Sequence, residues 1–185
     1  MKALIEQLLG KNDAVAVYSD RANPSRFAVG LVVHADEHDM VMRHIGTTGA
    51  YDGYSVRRIE DVFRIDVMTP YEKTLLAMYE AREQQRVGCA LEGLLAEGAD
   101  LVNQAIHIAC DRNLVVEVTM ESSRDQESVV GFVLGSEGNV VEIGRLSNRG
   151  ERTGTTHILG DDIIELFVDS EDDRVLALIA NRATL

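Results

Sequence analysis

The sequence predicts an α+β protein, mainly β, in which a small five-stranded barrel opened by a short helix is built twice in succession. Three observations carry this reading. Val-rich segments with period-two alternation recur between turns marked by Gly, Asn and Asp, which is the pattern of strands. These segments recur at a constant, gapless spacing of 101 residues, so that Phe27-Ala28-Val29-Gly30-Leu31-Val32-Val33 answers to Ser128-Val129-Val130-Gly131-Phe132-Val133-Leu134. The long second strand of each copy also carries a central glycine, Gly30 or Gly131. Glycine inside an apolar strand marks a bend or a close backbone approach, and a very small closed barrel needs strongly bent strands.

The same spacing pairs Ile5 with Ile106, Asn12 with Asn113, Val15 with Val116, Gly49 with Gly150, Gly53 with Gly154, Asp61 with Asp162 and Leu75 with Leu176. Two domains follow, residues 1–84 and 103–185, with 85–102 as a linker. A short amphipathic helix opens each copy, through Leu4, Ile5, Leu8 and Leu9 in the first and Ile106, Ala109 and Cys110 in the second. The first strand is expected over Ala14–Ser19 and Val115–Met120, the second over Arg26–His34 and its counterpart, and the third over Met40–Ile45. Gly49 and Gly53, with Gly150 and Gly154, read as positive-φ turn residues. Strands over Tyr54–Arg58 and Val62–Val67 complete the first copy, and Thr155–Leu159 and Ile163–Val168 the second. Thr69-Pro70-Tyr71-Glu72 reads as a capping box with Pro at the first helical position, for a helix from Tyr71 to Gln84. Ser170-x-x-Asp173 repeats the signal. The linker continues in helical mode through Ala90, Leu91, Leu94 and Leu95, weakened by Gly93 and Gly98.

Composition narrows the function classes. The 185 residues are 45% apolar and 26% charged, with 18 Lys+Arg against 31 Asp+Glu, a net charge of −13. Recognition of nucleic acid through global charge is disfavoured, because phosphates need positive density opposite them. Aromatics make up 5%, with no Trp, so a broad base-stacking platform is not expected. The apolar run at the N-terminus is broken by Glu6 and Gln7, and no stretch approaches the ~18 apolar residues of a membrane span. Cys89 and Cys110 read as reduced buried thiols, with a disulfide between them as the alternative. The expected compartment is the cytoplasm.

The order of helix, five bent strands and a glycine in the second strand resembles the Sm-like small β-barrels, relatives of the SH3-like barrels. The family's first signature falls on Gly30, Asp36 and Met40-Val41-Met42, and on Gly131, Glu137 and Val140-Val141. Its second falls on Arg57-Arg58-Ile59-Glu60-Asp61-Val62 and on Ile158-Leu159-Gly160-Asp161-Asp162-Ile163. The first copy lacks the glycine there, and the second lacks the cation. The resemblance implies two Sm-like barrels joined by a helical linker. It also implies association edge to edge, fourth strand against fifth, with the two barrels pairing within the chain or three chains closing a ring.

Candidate contact residues lie in the first copy. Residues 2–84 carry 10 Lys+Arg against 13 Asp+Glu, whereas residues 103–185 carry 7 against 15. Arg43, Arg57 and Arg58 form a basic cluster, with Arg57 and Arg58 on opposite faces of their strand. Tyr51 and Tyr54 flank Gly53 beside it, as a contact for a base or a peptide. Asp36-Glu37-His38-Asp39, near His34 and His44, has metal-ligand residue types, but a turn between strands demands the same polarity. His107, His157, Ser19 and Ser170 sit in no catalytic motif. No catalytic residue, metal or cofactor is expected. The chain reads as a non-enzymatic assembly or protein-interaction scaffold that self-associates through edge strands. The alternative is RNA binding through Arg43, Tyr51, Tyr54, Arg57 and Arg58.

Overall fold

A computed structural model describes residues 1–82, 91–96, 100–123 and 128–182. Helix α1 (Lys2–Leu8) buries Ile5 and Leu8, and a left-handed turn at Asn12 (φ 52°) leads into β1 (Ala14–Tyr18). Strands β2 (Ala28–Ala35), β3 (Asp39–Ile45) and β4 (Tyr51–Arg58) follow as an antiparallel meander. A 3-10 turn at Ile59–Asp61 leads into β5 (Arg64–Val67). The capping box then starts α2 (Pro70–Ala81), with the Thr69 amide donating to Glu72 Oε2 at 2.8 Å. The second half repeats the order. It runs α3 (Leu101–Asp111), β6 (Val115–Met120), β7 (Val129–Glu137), β8 (Val140–Leu146), β9 (Arg152–Leu159), a 3-10 turn at Gly160–Asp162, β10 (Ile163–Val168) and α4 (Glu171–Arg182). At the start of α4 the box is fully reciprocal. The Ser170 amide donates to Asp173 Oδ2 and the Asp173 amide to Ser170 Oγ, each at 3.1 Å.

The repeat is written in the backbone as well as in the side chains. Left-handed residues recur at the 101-residue spacing: Asn12 and Asn113, Gly49 and Gly150, Gly53 and Gly154, Met68 and Asp169. The two central glycines work by close approach. A Cβ on Gly30 would stand 2.2 Å from the Arg43 carbonyl oxygen, and one on Gly131 the same distance from that of Gly144. Just beyond each glycine the register slips, between Val32 and His34 and between Val133 and Gly135, and such bulges bend the strand.

The expectation of two closed five-stranded barrels joined by a helical linker is corrected by the strand order. All ten strands form one open antiparallel sheet, β5-β1-β2-β3-β4-β10-β6-β7-β8-β9. A barrel closes only if its first and last strands pair. Here β4 gives its free edge to β10 of the other half, and β5 pairs with β1 alone. Between α2 and α3 the described residues contain a single 3-10 turn, Leu91–Gly93, and the rest of the expected linker helix lies outside them. Cys110 is a half-buried thiol on α3, while Cys89 lies outside the described residues. No helix among the described residues is long and apolar enough to cross a membrane.

Apolar burial explains the single sheet. The largest core joins both halves. Val41, Tyr54 and Val56 of the first meet Val116, Val118, Leu166 and Val168 of the second under α3, which contributes Leu101, Ala105, Ile106 and Ala109. Two smaller cores lie apart from it. One joins Ile5 and Leu8 of α1 to Val15, Val17, Met40 and Met42, and the other joins Ala180 of α4 to Val115, Phe132 and Leu146.

The central glycines give a direct test. Gly30→Ala and Gly131→Ala should each lower unfolding free energy by about 2 kcal/mol or more in urea, since backbone rather than a mobile side chain blocks the methyl. Gly135→Ala meets nothing within 4 Å and should be close to neutral.

Candidate functional site at the seam

The contact between β4 and β10 sets Tyr54 opposite Val168, Ser55 opposite Phe167, Val56 opposite Leu166 and Arg57 opposite Glu165. Alternation gives its two faces different chemistry. Tyr54, Val56, Leu166 and Val168 point into the shared core, and Ser55, Arg57, Glu165 and Phe167 point the other way.

On the polar face the residues form one connected cluster. Arg57 is 3% exposed, and its guanidinium meets Glu165 Oε1 at 2.5 Å. It also donates to Ser19 Oγ at 3.2 Å and to Ser55 Oγ at 3.1 Å. Ser55 is fully buried, and its hydroxyl lies 2.8 Å from His44 Nε2. Burial first, and the Arg57 charge second, push His44 down to about 3, so the imidazole is neutral. Its ring stands edge-on to Phe167 at 5.2 Å. Arg57, His44, Glu165 and Phe167 line a cavity of about 500 Å³.

Arg58, the next residue, faces the opposite way and lines a larger cavity of about 1010 Å³. Its guanidinium donates to the carbonyl of Asp161 in the second half. Asp39 lies beside it in the β3–β4 register and is buried. Loss of solvent pushes the Asp39 carboxyl up to about 6, reinforced by the carboxylates of Asp36 and Asp100 and opposed by Arg58 and His38.

Of the five residues expected to contact a ligand, four are buried at or near this seam. Arg57 and Arg58 sit as just described. The Arg43 guanidinium lies over the Tyr79 ring at 5.9 Å. Tyr51 donates its hydroxyl to Asp169 Oδ2 at 3.3 Å and packs edge-on against Tyr54 at 5.8 Å. Burial raises its phenol further from ionisation. Arg174 lies over the Tyr51 ring and faces Asp169 Oδ2 at 3.8 Å, so this group also ties the two halves together. The Asp36 carboxylate is committed to its own turn, accepting the amides of His38 and Asp39 at 2.7 Å. Among the described residues no three His, Cys, Asp or Glu side chains converge as metal ligands. His107 and His157 are exposed. Sequence reasoning passed over His44 as a member of the polar cluster, and over Ser55 and Glu165 entirely. A signal was present: Arg57 answers in the repeat to the apolar Ile158 and Glu165 to the oppositely charged Arg64, so neither has a like charge in its repeat mate.

Two measurements check these energetics. Arg57→Met should destabilise the chain by about 3 kcal/mol, because it strands a carboxylate beside a buried face, and adding Glu165→Met should restore most of the loss. Because folded Asp39 holds its proton more tightly than an ordinary aspartate at 3.8, stability falls as pH rises from about 4 to about 6. Asp39→Asn should therefore be about 2 kcal/mol more stable than the parent at about pH 7.5 and indistinguishable from it below about pH 4 in urea titrations.

No protein-family model, no curated protein and no solved structure matches this chain, so the seam itself carries the reading of what the protein does.

Proposed function

We propose that the chain is a homotypic assembly module that joins copies end to end by repeating its own internal seam. One observation carries this: the seam pairs β4 with β10, and their repeat mates, β9 and β5, are the two terminal strands of the sheet. A terminal strand presents a row of unpaired amides and carbonyls, and a second strand of matching length satisfies them. Carried over by the repeat, the internal register sets Thr155 of one copy opposite Val67 of the next, Thr156 opposite Asp66, His157 opposite Ile65 and Ile158 opposite Arg64.

The surfaces beside the two edges support the same occupant. On β9 and its neighbour β8 the chain exposes Leu159, 58% accessible, and Val140. Val140 and Leu159 are the repeat mates of Asp39 and Arg58, which face the second half across the seam. At the other end α1 exposes Met1 and Leu4. The repeat mate of α1 is α3, which contacts β3 and β4 across the seam, so a second copy would lay α1 over β8 and β9. The contact is of the kind that the resemblance to Sm-like proteins implies. RNA binding through the first half would instead require Arg43 and Arg57 to leave their internal contacts.

Light scattering coupled to size exclusion across a dilution series tests the reading, with concentration-dependent oligomers as the expected result. Thr155→Pro and Thr156→Pro sharpen it. Amides alternate along a strand, so one of the two proline rings blocks the free edge and the other breaks pairing with β8. The variant that keeps the parental melting temperature should be a monomer. A parent that is monomeric at every concentration, or an oligomer that survives in the variant that folds normally, refutes end-to-end pairing.

A further inference from the structure

We infer that the smaller seam cavity binds a neutral nucleoside, whose base sets a carbonyl and an adjacent N–H against Arg57 and Glu165. This goes beyond end-to-end assembly and does not depend on it.

The cavity, about 500 Å³, lies on the polar face of the seam and takes its walls from both halves. Sites for small molecules run from roughly 300 to 1,000 Å³ and set a few converging polar groups among apolar walls. The buried polar group here is Arg57, 3% exposed. Its terminal nitrogens are spent on Glu165, Ser19 and Ser55, and its Nε–H has no hydrogen-bond partner among the described residues. A buried donor without an acceptor is costly, and native structures rarely leave one. The backbone does not demand a cation at this position, since the repeat mate, Ile158, is buried on β9. The ion pair accounts for the terminal nitrogens of Arg57. It accounts neither for the unspent Nε–H nor for the open space beside the pair.

The neighbours select the class of ligand. Glu165 gives Oε1 to Arg57, and its other oxygen remains an acceptor beside the Arg57 donor. A donor next to an acceptor complements a lactam edge, in which a ring carbonyl adjoins a ring N–H. Phe27 and Phe167 line the cavity and offer aromatic surface to a flat ring. Phe27 stays exposed although it packs on Tyr18 and Tyr71, with centroids at 5.2 and 5.9 Å. Asp52 and Glu117 on the walls accept from sugar hydroxyls and repel a phosphate, which favours a nucleoside over a nucleotide. Arg57 is neutralised by Glu165, and His44 is neutral and tied to Ser55 through Nε2. Among the described residues of the wall, Arg26 is then the cation left against Asp20, Asp52 and Glu117.

Calorimetric titration of the full chain with inosine at about pH 7.5 tests the inference, with one molecule per chain as the expected stoichiometry. Adenosine reverses donor and acceptor on the same edge and should bind roughly tenfold more weakly or worse. Inosine monophosphate should also bind more weakly than inosine. Arg57→Met/Glu165→Met removes both charges together, so it should keep a melting temperature near the parent's while losing about tenfold or more in affinity. Phe27→Ala, at an exposed position, should weaken binding about threefold or more. Arg58→Met, on the opposite face of β4, should change affinity by less than about twofold. The site is refuted if inosine gives no binding isotherm, or if inosine and adenosine bind equally, which marks stacking without recognition of the edge. Parental affinity in the folded double variant, or in Phe27→Ala, refutes it as well and leaves Arg57 and Glu165 a purely structural pair.

Discussion

The structure depends on one antiparallel contact, the pairing of β4 with β10. It draws five strands from each half into one sheet, because each strand finds a partner in the other half where barrel closure would have used its own. Four paired residues would hold weakly by themselves. The core beneath them makes the contact binding, since Tyr54, Val56, Leu166 and Val168 bury their side chains in one continuous apolar layer under α3. Separating the halves would expose that layer, so the hydrophobic term and the backbone ladder act together.

The other face of the seam has an opposite character. Ser55, Arg57 and Glu165 are polar residues in strands whose opposite faces turn Val, Leu and Tyr into the core. The polar side chains pair with one another, with Arg57 Nε left without a hydrogen-bond partner: the Arg57 terminal nitrogens serve Glu165, Ser19 and Ser55, and Ser55 pairs with His44. A network of this kind adds modest net stability and strong register specificity, because sliding β10 along β4 by two residues would bury Arg57 opposite Phe167. Apolar packing thus supplies attachment on one face, and polar pairing fixes alignment on the other.

Much of the local structure was legible in the residues. The spacing of 101 placed the strands, Thr69 to Glu72 marked the start of α2, and Gly30 and Gly131 announced close approaches that the Arg43 and Gly144 carbonyls provide. Sheet connectivity was not legible. Whether β4 pairs with its own β5 or with β10 depends on contacts more than a hundred residues apart, and period-two alternation is identical in either case. The candidate residues show the same limit. Arg43, Tyr51, Tyr54 and Arg57 look like a surface cluster along the first half alone, but Arg43 is covered by Tyr79 of α2, and the second half, through Glu165, Asp169 and Val168, covers the other three. Asp39 was seen as one letter of a polar turn, and its burial opposite Arg58 in the β3–β4 register exists only in three dimensions.

Duplicated units face the hazard of exchange, in which an element of one molecule replaces its twin in another. The charge pair at the seam guards against this. Arg57 and Glu165 face each other within one chain, but their twins are Ile158 and Arg64, which offer neither a matching anion nor a matching cation. An incoming β5 cannot substitute for β10 against β4 without setting Arg64 against Arg57. The inner joint is therefore orthogonal to the outer edges, and the polypeptide can settle its own architecture before it meets a neighbour.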